Sequence, residues 1–453
     1  MTNQWPPPPP SPFQPPGTGF GAETPPFGTE QRPPTPGPST VMVAVIIGVV
    51  IMLIAAGVAA LVLRDDETIS TTPTTTQASR SPTTSGSAPS TTGTASASTT
   101  TRASTDLDRF VDEAIAFVEK ERGLKFTSRP AVVVLDDAAF VARFRELIDE
   151  DAKKYKDVYD DVTGIFQAIG LLSRDMTYVE AQKLLGEGGV LGYYDQESKE
   201  LRVRGGQLTP FARTVVVHEL THALDDQRFD LNRPQYDSAD DEIGFGFVAL
   251  AEGNARRVEN AYRNAMSAPD IASATAEELK LSVSGAAVLA KLNLSLLQLE
   301  IAPYDLGESF VAALLDKGGQ AALDRAFADP PRTSEQVIDP DKYFAKEPRR
   351  NVNAPPADAT PFKTGVFGEI ALRTILGSAN SARVAETAAT GWAGDWFVAW
   401  NESNRSCLRV DFVMDTAKDT SELRDALTRW AQTRPSGKVT NAGDAVELTS
   451  CSR

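Results

Sequence analysis

From Val41 to Leu63 the chain reads VMVAVIIGVVIMLIAAGVAALVL, with no charge, no proline and no polar side chain. At ~1.5 Å per helical residue this run reaches across a ~30 Å hydrocarbon layer. It predicts a single transmembrane helix, and it divides the chain into segments that must be read separately. A cleaved signal peptide would have a shorter apolar stretch, a basic start beside it and a cleavage site. Here a long tail precedes the run, and its one basic residue is Arg32.

Residues 1–40 carry a run of five prolines, further Pro-Pro pairs and little charge, so they bury too little apolar surface to offset ordering entropy. The expectation is a disordered tail, partly polyproline. Residues 64–105 are rich in Ser, Thr, Ala and Pro, the composition of an extended stalk. Arg32 and Arg64 nearly cancel under the positive-inside rule. Stalk composition, one anchor before a large domain and sparse cysteine place the C-terminal region outside the cytoplasm. Cys407 and Cys451 both sit beside strand-like alternation; a disulfide between them is expected, with two buried free thiols as the alternative. A formal charge of −16 argues against nucleic acid as a partner, because phosphate binding needs an excess of Lys and Arg.

Residues 106–453 read as globular α+β material without internal repeats. A helix over Asp106 to Arg122 leads to the β-branched run after Pro130, then to a helical stretch from Asp137. Val190 to Tyr194 and Glu200 to Arg204 read as a hairpin. Thr209 and Pro210 supply an N-cap and a first-turn proline, opening a helix that runs through FARTVVVHELTHALDDQ. The last stretch, from about residue 386, predicts a β-β-α-β subdomain after a larger domain over 106–385.

The segment HELTH sits inside that helix. Residues four apart lie on one helical face, so His218 and His222 can direct imidazole nitrogens at one ion, with Glu219 beside them. Two imidazoles and a third ligand suit Zn²⁺, whose open position activates water; Glu219 is then the general base. A chance HExxH in a chain this long is about a one per cent event. Both of the chain's histidines fall in these five residues, which scattered core histidines would not produce.

The third ligand must be a carboxylate, since Asp225 and Arg228 stand where an HExxHxxGxxH pattern needs Gly and His. Glu252 is the candidate, because it interrupts an apolar stripe of Phe245, Val248, Ala249 and Ala255, where an unpaired carboxylate is costly. The alternative for Glu252 is an i,i+4 ion pair with Arg256. Asp226, Glu242 and Glu259 are weaker ligand candidates. Asp226 reads otherwise as an acceptor for an imidazole or as a solvated helix-end acid.

HELTHALDDQ followed by ALAEGNA resembles the gluzincin group of metallopeptidases, and more narrowly a bacterial family of membrane-anchored HExxH proteins, over most of residues 106–400. PYDLGESFV, PPRTSEQVIDPDKYF, GEIALRTIL and GWAGDWFV add to it in order. The resemblance implies a zincin-like core of a small sheet, active-site helix and helical subdomain. It also implies His218, His222 and Glu252 as zinc ligands, Glu219 as base, and a substrate-lining edge strand at Glu200 to Arg204. The family pattern has a histidine where this chain has Asp339, so oxyanion stabilisation falls to the metal and to another residue, with Tyr343 the candidate. The expected function is hydrolysis of a protein or peptide substrate. The rivals are a catalytically silent zincin-like scaffold that binds envelope proteins or peptides, and a membrane protein whose Pro-rich tail recruits partners.

Overall fold

The computed structural model describes residues 98–236 and 242–453, with side chains from Asp106 onward. The predicted tail, transmembrane segment and most of the stalk lie outside the described residues. Among the described residues no helix is long and apolar enough to cross a membrane.

The chain is α+β. Helix α1 (Ser98–Arg122) begins inside the expected stalk and leads to strand β1 (Ala131–Leu135). Helix α2 (Asp137–Lys154) starts where the Asp136 side chain accepts from the Ala139 amide. Helix α3 (Lys156–Ile169) ends at Gly170, whose φ of 76° is the left-handed stop that glycine adopts at low cost. A capping box of Thr177 and Glu180 opens α4 (Tyr178–Gly188).

Strands β2 (Gly192–Asp195) and β3 (Glu200–Arg204) form the expected hairpin. The small sheet has the order β1-β3-β2, with β1 parallel and β2 antiparallel to β3. The strand expected at the edge, Glu200–Arg204, is therefore central. Ala131 pairs with Glu200 and Leu135 with Arg204, so β1 occupies the side that the hairpin alone would leave open. The antiparallel edge strand is β2, and it lies against α5 (Pro210–Phe229): a Cβ on Gly192 would meet Val215 Cγ1 at 2.6 Å and Glu219 Oε1 at 3.2 Å.

Helices α6 (Ile243–Ala265), α7 (Ala268–Leu289) and α8 (Leu294–Ala328) follow, the last broken at Gly318 and Gly319. Short helices α9 (Ser334–Ile338) and α10 (Pro340–Ala345) precede the second sheet. That sheet contains β4 (Pro361–Gly365), β5 (Trp392–Glu402), β6 (Arg405–Met414), β7 (Lys438–Ala442) and β8 (Ala445–Cys451), in the order β4-β5-β6-β8-β7 and fully antiparallel. Helices α11 (Glu369–Gly377) and α12 (Ala382–Ala389) lie between β4 and β5, and α13 (Ala417–Gln432) between β6 and β7.

The expected β-β-α-β unit is thus larger: its final strand is a hairpin, and β4 joins from before residue 386. Cys407 faces Cys451 across β6 and β8, and the two form the expected disulfide. The boundary expected at 385/386 does not separate one core from another, because Leu185 and Leu297 pack in a single apolar cluster with Trp392, Leu408 and Trp430.

Two contacts fix the helices around α5. Helices α6 and α8 touch backbone to backbone: a Cβ on Gly253 would stand 2.1 Å from the Gly307 carbonyl, and one on Gly307 1.9 Å from that of Ala249. On the other side Arg122, fully buried, bonds Asp225 through Nε at 2.9 Å and Gln320 at 2.8 Å, while Asn254 also donates to Asp225. One guanidinium thereby ties α1, α5 and α8 together, and Asp225 carries the tie on to α6. Gly253→Ala forces the α6–α8 contact apart and should lower unfolding stability by about 1–3 kcal/mol, read from urea denaturation monitored by circular dichroism.

Candidate metal centre

Helix α5 starts as expected, with the Thr209 side chain accepting from the Ala212 amide and Pro210 in the first turn. From Thr214 to Asp226 every side chain is buried, so this helix runs through the interior with the motif at its centre. His218 and His222 lie one turn apart on the face toward α6, and α6 presents Glu252 to both.

The three donor atoms form a nearly equilateral triangle. His218 Nε2 is 3.1 Å from His222 Nε2, and Glu252 Oε2 is 3.2 Å from each. Tetrahedral zinc with bonds of about 2.0–2.1 Å sets its ligand atoms about 3.3 Å apart, so this triangle fits one face of a zinc coordination shell. The donor chemistry agrees, since two imidazoles and one carboxylate suit zinc better than calcium or magnesium, which favour oxygen-only shells. Glu252 makes no pair with Arg256, which instead faces Asp305 at 3.8 Å and Glu308 at 3.3 Å.

Glu259 lies two turns along α6 from Glu252 and reaches His218 Nδ1 at 3.0 Å. Accepting there holds a proton on Nδ1, so that Nε2 would be free to offer its lone pair, the arrangement that a metal-bound histidine needs. Glu259 is not part of the triangle. Burial works to lower the pKa of His218, but Glu252 and Glu259 outweigh it and push the value up to about 10. Burial works to raise that of Glu252, and the two imidazoles pull it down to about 2. A divalent cation at the triangle would take over the charge balance that the histidine proton supplies without it.

Glu219 is fully buried, and neither of its carboxylate oxygens closes a hydrogen bond within the described residues. Burial pushes its pKa well up; His218 and the backbone N–H of Tyr194 on β2 pull the other way without a hydrogen bond of normal geometry. An orphaned buried carboxylate beside two imidazoles is expensive unless a cation or an ordered water completes it.

Tyr304, on α8, is the residue that sequence reasoning misses. Its ring stacks on His218 with centroids 6.4 Å apart and planes 26° from parallel; burial and the neighbouring Glu252 and Glu219 hold its hydroxyl protonated far above the usual range. The available signal is its place on α8 one turn before Gly307, the residue that touches α6. Tyr343, the residue expected near the oxyanion, is not brought to this cluster. Its hydroxyl donates to the Asp329 carbonyl at 2.9 Å, and its ring packs on Phe310 and Phe344.

Asp226 is neither an imidazole partner nor solvated. It is buried and accepts from Tyr194 Oη at 2.7 Å, Lys199 Nζ at 2.6 Å and the Leu231 amide at 3.0 Å, fastening the β2–β3 hairpin to the end of α5. Glu242 lies away from the triangle, accepting from the Ser334 amide, and burial pushes its pKa up to about 8. Beside His222 and Glu252 a cavity opens, with Tyr194 and Gln196 at one side and Leu231, Phe247, Val248 and Ala251 forming an apolar wall.

A family described as a domain of unknown function, DUF8575, matches residues 305–450, a span that holds most of α8 and the second sheet but not the HELTH helix. No curated protein and no solved structure matches the chain.

Removing the Glu259 carboxylate frees the His218 ring to turn and to change tautomer. Glu259→Ala should weaken zinc affinity about 10–100-fold while the fold persists, measured by competition against a chromophoric chelator.

Proposed function

We propose that the chain is a zinc-dependent peptidase, with His218, His222 and Glu252 holding the ion and Glu219 acting as general base. The observation that carries this reading is the triangle of donor atoms at 3.1–3.2 Å with an unpartnered carboxylate next to it. When bound, zinc lowers the pKa of a coordinated water and polarises a carbonyl.

Within such a site Glu219 takes a proton from the attacking water and delivers it to the departing amine nitrogen, so no covalent intermediate on the protein is needed. The Tyr194 amide on the β2 edge faces Glu219, and this edge, not β3, is where an extended peptide backbone would align. The wall of Leu231, Phe247, Val248 and Ala251 accepts an apolar side chain. Tyr304, held protonated beside Glu252, is the hydroxyl nearest in kind to the donor that the missing third histidine would have been. The zincin-like core, a membrane anchor at Val41 to Leu63 and an extracytoplasmic catalytic domain belong to the same proposal, the last supported by the Cys407–Cys451 disulfide.

A second reading is the catalytically silent scaffold, and one observation favours it: Glu219 is 0% exposed and His218 1%, so a substrate must open the site to enter. The two readings separate in one experiment on the purified full-length chain, with metal content from mass spectrometry and turnover from a peptide library. Under the peptidase reading Glu219→Gln keeps zinc and loses about 10²–10⁴-fold in kcat/KM, whereas His222→Ala loses the metal. Turnover that survives Glu219→Gln removes the general-base assignment; zinc binding with no cleavage by the unaltered chain establishes the scaffold.

A further inference from the structure

At the tip of the β5–β6 hairpin the chain reverses through Ser403 and Asn404, both at positive φ (48° and 63°), the twist that a tight antiparallel turn requires. Beside this turn lies an open cavity of about 470 Å³, with Gln167 of α3, Arg174, and Asn401, Asn404, Arg405 and Ser406 of the hairpin in its wall. Acids outnumber bases in this chain by 61 to 45, yet no carboxylate lines the cavity. Neither arginine of the wall is neutralised. Arg174 donates to the Asn404 carbonyl at 3.3 Å, and Arg405 makes no hydrogen bond or ion pair among the described residues. The acids adjacent in sequence turn elsewhere: Asp175 bonds Ser173, and Glu402, opposite Arg405 in the ladder, lies beside the sulfurs of Cys407 and Cys451.

Two further guanidiniums stand close by. Arg453 follows Ser452, itself in the wall, and donates to the Thr433 carbonyl at 3.0 Å. Arg434 packs over the Trp430 ring at 4.3 Å and against Gly170, three residues from Gln167, and its buried Nε finds no acceptor. Burial and the charge of Arg453 pull the pKa of Arg434 down to about 10. We propose that this cavity binds a phosphate group, either free or carried on a hydroxylated molecule.

The planar fork of a guanidinium matches phosphate oxygens two at a time. A phosphate carries about −1.5 to −2 charges near pH 7, so one such group offsets both arginines of the wall, where a carboxylate offsets only one. A longer polyanion is disfavoured by the formal −16 of the whole chain. The wall also holds donors for a hydroxylated carrier: Ser406 Oγ donates to Asn401 Oδ1 at 3.0 Å, which leaves the Asn401 Nδ2 protons uncommitted. Gln167 Nε2 donates to the carbonyls of Arg174 and Met176 at 3.2 and 3.1 Å and so holds the Arg174 loop in place. No residue of this wall belongs to the metal centre, so the phosphate site and the zinc reading stand or fall separately.

Isothermal titration calorimetry of the full-length chain in detergent, at about 0.15 M salt, with sodium phosphate and separately with glycerol 3-phosphate, tests it. The expected result is saturable binding that Arg174→Gln and Arg405→Gln each weaken at least about tenfold. Arg383→Gln, exposed on α12, leaves it unchanged. Tighter binding of glycerol 3-phosphate identifies a carried phosphate as the occupant, and equal or tighter binding of inorganic phosphate identifies the free ion. Circular dichroism melts verify that all variants are folded. No saturable binding of either probe, or an affinity indifferent to both arginine substitutions, overturns the proposal.

Discussion

The site depends on one contact, that between Glu252 and the two imidazoles of α5. A carboxylate buried at 4% exposure needs compensating positive charge nearby, and the pair of nitrogens at 3.1–3.2 Å defines where that charge must sit. Most of the surrounding architecture serves to make that approach possible. Gly253 and Gly307 let α6 lie against α8 without side chains between them, which fixes the height at which Glu252 faces α5. Gly192 does the same for β2 and Glu219. Each glycine is needed for its missing Cβ, since an added carbon would meet backbone or a valine methyl that has nowhere to go.

HELTHALDDQ places five ionisable side chains on a single helix within nine residues, and the fold sorts them into two groups. His218, Glu219 and His222 face α6 and β2. Asp225 and Asp226 are balanced elsewhere: Asp225 by the buried Arg122 at 2.8 Å, Asp226 by Lys199 and by hydrogen bonds from Tyr194 and Leu231. This separation matters electrostatically. A second pair of uncompensated carboxylates one turn from His222 would compete for any cation at the triangle, and breaking a buried pair such as Arg122–Asp225 costs about 3–5 kcal/mol. With that pair neutralised, the triangle is the place on α5 that the proposed divalent cation would occupy.

What could be read in the sequence was local. Histidines at i and i+4, a Thr-Pro helix start and a carboxylate interrupting an apolar stripe are all contained within one or two helices, and the folded chain keeps all three. The paired cysteines were legible for the same reason, since both strands announce themselves by alternation. What escaped was non-local. The edge strand was misplaced because β1 pairs with β3 from about seventy residues upstream, and no pattern inside either strand specifies its neighbour. The sequence offers Glu259 only as a weaker ligand candidate, because its contact is with an imidazole forty-one residues earlier.

The tyrosines show why resemblance and packing can point to different residues. Tyr343 stands in a segment whose motif suggested chemistry, yet its hydroxyl is bound to a backbone carbonyl and its ring to Phe310 and Phe344. Tyr304 stands in a helical stretch without a motif, and it reaches the site because α8 is pressed onto α6 at Gly307. A hydroxyl buried beside two carboxylates stays protonated and remains a donor; that of Tyr304 is directed at Glu252, at the triangle itself, whereas that of Tyr343 is committed to a backbone carbonyl elsewhere. Under the proposed peptidase reading, oxyanion stabilisation requires a donor close to where charge develops, and of the two tyrosines the helix contact, not the motif, brings one there.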